Sequence, residues 1–198
     1  MRPRCSRPLV GTLVVLVVLA GAMPVASADD LAEFIARSDQ SASTITHYGY
    51  VTHVSGFADA ALFFDPVNRT EATARLTYFA TTTLSSRHVL GNIITTATEP
   101  GTLTFFARPS AGATFSVPSS FAQGTPVATL SLRYHNVLTV QGANVLGQQV
   151  GGAVATARAE GLGLRLRFAA SGQGTLLVND PANFVSVFLI GGSIATIP

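Results

Sequence analysis

Hydrophobic and polar residues alternate along most of the chain beyond residue 44. This period of two is typical of β-strands that have one face on a core and the other in solvent. In the segment 125–141, for example, Leu130 and Leu132 alternate with Ser131 and Arg133. The pattern predicts an all-β domain rather than a helical one.

About eight to ten such strands are predicted, separated by short turns rich in Gly, Pro and Asn. They cover the segments 45–54, 57–64, 72–84, 88–98, 102–107, 125–141, 145–158, 162–170, 176–178 and 184–197. No segment between them has a helical period long enough for the crossover that parallel strands need, so we expect an antiparallel sheet. A closed barrel is favoured, because long regular strands interrupted by Gly suit closure. A two-sheet sandwich such as a jelly roll is the alternative.

A different pattern precedes these strands. Asp30 and Glu33 have the spacing of a helix capping box, and apolar residues at helical spacing lie around them. The spacing predicts one short amphipathic helix over residues 31–38. Residues 29–43 are therefore interpreted as a short helix and linker, ahead of a single antiparallel domain over residues 44–198.

The first 28 residues have the features of a cleavable secretory signal peptide. Arg2, Arg4 and Arg7 precede an apolar run over residues 9–23, and an Ala-Ser-Ala cleavage motif ends at Ala28. As a helix the run would span ~22 Å, short of the ~30 Å hydrocarbon core of a bilayer, so cleavage is favoured over a retained anchor. We expect export with cleavage after Ala28, to the cell envelope or the extracellular medium. No membrane span is then expected in the mature form.

Removal of this segment changes the composition on which the chemistry depends. The whole chain has 12 Arg, no Lys and a formal charge of +2, whereas the chain beyond residue 28 keeps nine Arg and all ten acidic residues, for a charge of −1. The single Cys and both Met are lost with the signal segment. Lysine nucleophiles, thiol catalysis and disulfides are therefore excluded from the mature protein. Its near-neutral charge predicts no nucleic-acid partner, and its bias to Ala, Gly, Thr and Arg suggests a bacterial source.

No catalytic or metal-binding motif is recognisable. His47 and His53 share one face of a predicted strand but lie ~20 Å apart, too far to share a metal ion. Neither an H-E-x-x-H helix nor a G-x-S-x-G turn is present. Asp59 and Asp65, a conceivable carboxylate pair for glycosidic chemistry, are better explained as turn residues. We therefore expect no metal, no cofactor and no catalytic residue.

Arginines inside predicted strands give one candidate binding site. Arg133, His135, Arg165 and Arg167 lie on polar strand faces, opposite Leu or aromatic residues. If these strands are neighbours, the Arg groups form a patch that can bind a carboxylate or sulfate in bidentate fashion. A sheet surface that simply faces solvent is the competing interpretation.

Aromatic residues near the start of the domain give a second candidate. Tyr48 and Tyr50 lie on one face of a predicted strand and would line a ligand cavity in a barrel. In either architecture they are also suitable as ordinary core residues.

These observations favour an exported, non-catalytic β-barrel that binds a small apolar or amphipathic ligand or a partner at the cell surface. The first alternative is a cofactor-free isomerase or cyclase, which requires Tyr48, Tyr50, Arg133 and His135 to converge inside the barrel. The second is a structural envelope protein. An interior cavity below about 300 Å³ would argue against the small ligand, and outward-facing Arg133 and His135 would argue against the enzyme.

Overall fold

The computed structural model describes residues 31–144, 148–178 and 184–197, and nine β-strands lie within them. The strands are β1 (Ala32–Ser41), β2 (Thr44–Val54), β3 (Leu76–Leu90), β4 (Ile93–Thr98), β5 (Gly101–Ala107), β6 (Thr125–Ala143), β7 (Gln149–Gly161), β8 (Leu164–Val178) and β9 (Phe184–Thr196). The expected signal segment, residues 1–28, lies outside the described residues. Among the helices in the described part of the chain, none is long and apolar enough to span a membrane.

All nine described strands belong to one sheet, and its hydrogen bonding returns to where it begins. The strand order is β2, β1, β9, β8, β7, β6, β4, β3, β5, and β2 also pairs with β3 while β5 pairs with β6. Both β4 and β5 lie between β3 and β6, and Glu99 and Pro100 separate them along the chain. They therefore share a single position in a ring of eight, which we call the ring. Every pairing is antiparallel, as the short connections predict.

The apolar faces predicted from the alternation lie inside the ring. In β6, Leu130 and Leu132 are buried, whereas Ser131 and Arg133 between and beside them are exposed. The main core cluster takes buried residues from all nine described strands. Removal of this apolar surface from water, at about 25 cal/mol per Å², is the principal force that holds the strands together.

A second core lies outside the ring, against β2 and β3. Tyr48 and Tyr50 lie on the outer face of β2, and the long connections that follow β2 and β5 fold over them. Phe63 and Phe121 from these connections pack on the two tyrosines, with Tyr48 and Phe121 ring centroids 5.3 Å apart. The Thr77 hydroxyl donates a hydrogen bond to the Phe121 carbonyl at 2.9 Å and fixes one connection to β3. Three short 3₁₀ turns lie in these connections, at Asp59–Leu62, Glu71–Thr73 and Pro118–Ala122.

The predicted N-terminal helix is wrong, because residues 32–41 form strand β1. Phe34, Ala36 and Ser38 are buried and alternate with more exposed residues, which is the strand period and not the helical one. Over its whole length β1 pairs with β2 on one side and with β9 on the other. Hydrogen bonds to two neighbours and the burial of alternate residues outweigh the local preference for helix.

Glycine allows close approach of the strands at inward-facing positions, of which Gly172 and Gly49 are two examples. A Cβ on Gly172 in β8 would lie 1.9 Å from the carbonyl oxygen of Leu189 in β9. A Cβ on Gly49 in β2 would lie 2.2 Å from the carbonyl oxygen of Ile35 in β1. No side chain fits at such distances, so these glycines permit the local bending that closing a sheet into a ring requires.

We expect Gly172→Ala to lower the free energy of unfolding by about 2 kcal/mol or more, because the added methyl group must displace the β9 backbone. Gly152→Ala in β7 is the control, since its Cβ would meet the flexible amide end of Gln141 at 3.3 Å and the Gly172 carbonyl oxygen at an ordinary contact distance of 3.9 Å. Urea unfolding followed by circular dichroism measures both. Equal stability of the two variants would contradict the close approach of β8 to β9.

Candidate functional site

Three arginines form a row across the outer faces of β6, β7 and β8. Arg133 lies directly opposite Arg158, and Arg158 lies directly opposite Arg167. Adjacent strands are ~4.8 Å apart, so the three Cα atoms span only ~10 Å. All three residues are exposed. We call Arg133, Arg158 and Arg167 the arginine row.

Polar side chains flank the arginine row on both sides. On one side of the arginine row, Ser131 in β6 lies opposite Glu160 in β7. On the other side, His135 in β6 lies opposite Thr156 in β7. Together with the arginine row they line a surface depression of about 650 Å³. The depression thus combines fixed positive charge with hydroxyl groups that donate hydrogen bonds.

The depression has an excess of positive charge. Its lining includes three Arg and one acidic residue, Glu160, for a formal charge of +2 with His135 neutral. Arg133 Nη2 lies 3.9 Å from Glu99 Oε2, but both side chains are about 60% exposed, so water weakens this attraction. Within the described part of the chain, neither Arg158 nor Arg167 forms an ion pair. Like charges directly opposite one another destabilise a sheet, so an anion bound here would relieve a repulsion.

The structure places the arginine candidates of the sequence analysis on one face, and that face is the outer one. Arg133, His135 and Arg167 line the depression, and Arg165 lies on the same face, two residues from Arg167 along β8. Arg158, the centre of the row, was missed. It becomes significant only when β7 is known to lie between β6 and β8 in this register, which alternation alone does not reveal.

Tyr48 and Tyr50 lie apart from the arginine row and line no cavity inside the ring. They are buried in the second core, beneath the two long connections. The Tyr48 hydroxyl donates a hydrogen bond to Asp39 Oδ2 at 2.7 Å, and Arg37 Nε donates one to Asp39 Oδ1 at 2.7 Å. Burial, and then the Asp39 carboxylate, raise the pKa of Tyr48, so its phenol remains a protonated donor. The two tyrosines therefore hold the connections in place.

A small apolar cavity lies inside the ring. Its volume is about 50 Å³, and its lining is mostly aromatic and aliphatic, with His47 and Tyr134 at its polar side. Small-molecule sites usually measure roughly 300–1,000 Å³. This cavity is therefore too small for a ligand of ordinary metabolite or drug size.

One half of the ring interior, towards the β3–β4 turn, is polar. Its buried polar residues are Ser38, Gln40, His47, Thr82, Thr96, Asn136 and Ser186. Arg87 lies opposite Thr96, and Thr96 lies opposite Asn136, so three polar side chains follow one another across β3, β4 and β6. The rings of His47 and Tyr134 meet edge to face, with centroids 4.3 Å apart.

Five atoms of this region are buried and form no hydrogen bond of standard length and angle to a described residue. They are His47 Nε2, Thr82 Oγ1, Arg87 Nη1, Thr96 Oγ1 and Tyr134 Oη. The side chains of Thr82 and Asn136 lie close enough to the Tyr134 hydroxyl to favour its charged form, so this hydroxyl has polar neighbours. We call these five residues the interior polar cluster. An unsatisfied buried polar group costs about 1–3 kcal/mol, and native proteins contain only a few of them. Their concentration in one region therefore requires an explanation.

Burial also sets the protonation states in the interior polar cluster. It lowers the pKa of His47 to about 4, against a smaller opposing effect of Asp39, so the imidazole is neutral at neutral pH. It raises the pKa of Tyr134, while the nearby Thr82 and Asn136 act in the opposite sense. At neutral pH, Arg87 is the charged member of the cluster.

Within the described residues, no three His, Cys, Asp or Glu side chains are grouped so as to hold a metal ion. Comparison of the chain with protein-family models, with curated proteins and with solved structures finds no match in any of the three. The arginine row and the interior polar cluster are therefore the two features of the molecule that point to a function.

We expect Arg158→Thr to raise the free energy of unfolding by about 0.5 kcal/mol at low ionic strength, because it removes the middle charge of the arginine row. The gain should shrink in 0.5 M NaCl, where salt screens exposed charges. Urea unfolding at both salt concentrations measures this. A loss of stability that is equal at both concentrations would show that the three charges do not repel one another.

We expect acid to destabilise the protein through His47. Because its folded-state pKa of about 4 lies below its ordinary value of 6.5, the unfolded chain binds more protons between these pH values. The contribution of His47 is complete above about pH 6.5, decreases as the pH falls, and is lost near pH 4, with a total on the order of 3 kcal/mol. The free energy of unfolding of the wild type and of His47→Gln, compared from pH 7 to 4, isolates it from carboxylate titration.

His135→Gln makes the same chemical change at an exposed position on the outer face, and it is the control for the substitution itself. If His47→Gln lost stability on acidification as steeply as the wild type, the buried imidazole would not be the source of the acid sensitivity.

Proposed function

We propose that the protein is an exported, non-catalytic β-barrel that binds an acidic polysaccharide at the arginine row. The observation that carries the proposal is the direct alignment of Arg133, Arg158 and Arg167 across three adjacent strands. Export is supported by the basic, apolar and Ala-Ser-Ala segments at the N-terminus. Such a protein would meet its partner at a cell surface or in the surrounding medium.

The strand pairing supports a closed barrel over the sandwich alternative. Each of the nine described strands has a hydrogen-bonded neighbour on both sides, because β2 pairs with β3 and β1 pairs with β9. A sandwich would divide the strands between two sheets with free edges. A barrel also gives the arginine row a rigid base, since strands position side chains more precisely than loops do.

The spacing of the charges favours a ligand with several anionic groups. Each guanidinium can hold one carboxylate or sulfate through two parallel hydrogen bonds. Three arginines whose Cα atoms span ~10 Å suit anionic groups repeated at short intervals, as in a chain of uronate or sulfated sugars. The depression measures about 650 Å³ and lies on the outer face of the ring, where a segment of a polymer can reach it.

The lining favours a polysaccharide over a nucleic acid. No Phe or Tyr is among the residues that line the depression. Single-stranded nucleic acids are usually held by aromatic side chains that stack on the bases, in addition to basic groups. Ser131 and Thr156 supply hydroxyl groups, which suit hydrogen bonding to sugars.

The other functions considered from the sequence find less support in the geometry. An apolar ligand would have to enter a cavity of about 50 Å³. The isomerase or cyclase hypothesis requires two tyrosines, Arg133 and His135 to meet inside the ring. Instead, Arg133 and His135 lie on its outer face, and Tyr48 and Tyr50 lie beneath the connections.

We expect the protein to bind dextran sulfate and polygalacturonate and not neutral dextran, with an affinity that falls as salt rises. Arg158→Thr should weaken this binding about tenfold, because each charge-assisted hydrogen bond contributes about 1.5–3 kcal/mol. Arg69→Thr is the matched control, since it removes one partly exposed positive charge outside the depression. Isothermal titration calorimetry measures the affinities.

Equal weakening by Arg158→Thr and Arg69→Thr would reduce the binding to a general effect of net charge and refute a site at the arginine row. Equal binding of neutral dextran would refute the requirement for anionic groups.

A further inference from the structure

We propose that the inside of the ring holds a second, independent site, in which the interior polar cluster binds a small monocarboxylate. The site differs from the arginine row in position and in ligand. It lies on the opposite face of the sheet, and the cavity of about 50 Å³ beside His47 and Tyr134 has room for a small group and not for a polymer. Neither site contributes a residue to the other.

Arg87 brings a positive charge into the polar interior without a described counter-charge. The residue is partly exposed, but its Nη1 atom is covered and forms no hydrogen bond to a described residue. The acidic residues that the structure describes are all at least partly exposed, and none belongs to the polar interior. A covered N–H donor that lacks a partner is destabilising, and a carboxylate beside Arg87 would supply both the acceptor and the counter-charge.

The Arg87 side chain points into the ring and contacts an aromatic residue of another strand. Its guanidinium carbon lies 4.9 Å from the centre of the Phe184 ring in β9, although Arg87 itself belongs to β3. The side chain therefore extends across the interior and not outward from the sheet. Contact with an aromatic face orients a guanidinium while its N–H groups at the edge stay available for an anion.

The other atoms of the cluster can act as hydrogen-bond donors. Hydroxyl groups of Thr82, Thr96 and Tyr134 can each donate a hydrogen bond, and so can the neutral imidazole of His47 through Nε2 in one tautomer. A carboxylate is acceptor-only and offers about four lone-pair positions. It would thus match a cluster composed of one cation and neutral donors. Water would satisfy the hydroxyl groups but would leave the Arg87 charge without a counter-ion.

The cavity beside the cluster limits the size and the chemical class of the ligand. The apolar cavity of about 50 Å³ begins at His47 and Tyr134 and continues between aromatic and aliphatic side chains. One water molecule occupies about 30 Å³ of liquid volume, so this space suits an alkyl chain of one or two carbons. Acetate and propionate would place the carboxylate among the polar groups and the alkyl chain in the cavity. Phosphate and sulfate carry no group that would fill it.

The route into the site is short. Arg87 is three residues from the end of β3 and is only half-buried as a residue, although its Nη1 atom is fully covered. The β3–β4 turn, at Gly91 and Asn92, is exposed. A small anion can therefore reach the cluster from this end of the ring.

The test is calorimetric and thermal titration of the full chain with sodium acetate, against sodium chloride at the same ionic strength. We expect saturable acetate binding and a rise in melting temperature of several degrees that chloride does not produce. Arg87→Met, which keeps the length of the side chain and removes its charge, should lose at least tenfold in acetate affinity. Without acetate it should melt at or above the wild-type temperature.

Two further variants make the result specific. Arg133→Met, on the outer face, should bind acetate as the wild type does while it loses affinity for dextran sulfate, so the two proposed sites can fail separately. Thr96→Val removes one buried hydroxyl at nearly constant shape and should weaken acetate binding severalfold. It also provides a second assay should Arg87→Met not fold.

A ligand series tests the predicted size. Acetate and propionate should bind, whereas octanoate should not. A wild-type melting temperature that acetate does not change beyond the effect of chloride would overturn the proposal. So would acetate affinity that Arg87→Met and Thr96→Val both leave intact, or a preference for phosphate or sulfate over acetate.

Discussion

The pairing of β2 with β3 and of β1 with β9 is the constraint on which the rest of the structure depends. These contacts turn a meander of antiparallel strands into a ring, and a ring has an inside and an outside with different chemistry. Burial of the apolar inner face supplies the stability. The outer face does not have to be apolar. It therefore carries charged residues on β6, β7 and β8, whereas long connections cover it on β2 and β3.

Closure of the ring also limits the size of the side chains that fit inside it. A small ring has room for few large side chains, so glycine and alanine occupy inner positions where strands approach closely, as at Gly172 and Gly49. The remaining inner space is divided between an aromatic half and a polar half. The polar half contains five buried atoms without a standard hydrogen bond to a described residue, each of them destabilising, and one of these atoms, Arg87 Nη1, belongs to a side chain that stays charged. Where folding leaves such a cost, ligand binding is a direct way to offset it.

The period of two was sufficient to predict the fold class, the antiparallel sheet and the buried faces of β6 and β8. It failed where local and tertiary preferences conflict. Asp30 and Glu33 favour a helix, but β1 has strand partners on both sides, which no local pattern encodes. The apolar run over residues 57–64 resembles a strand, yet it serves as the cover of Tyr48 and Tyr50. Arg133 and Arg167 were recognisable as candidates, whereas Arg158 and Arg87 depended on the register between strands and on the side of the sheet that each faces.

The position of β1 has a consequence for the order of events in folding. β1 is the first described strand and β9 the last, and they pair along the full length of β1. The contact joins residues separated by about 150 positions, so the ring cannot close until nearly the whole chain is available, and the entropic cost of that long loop falls on the final step. If the chain is exported as we propose, N-terminus first, the ring would stay open during transit and close only after β9 emerges. The topology that leaves no free edge on any described strand of the finished ring leaves edges free until β9 pairs with β1.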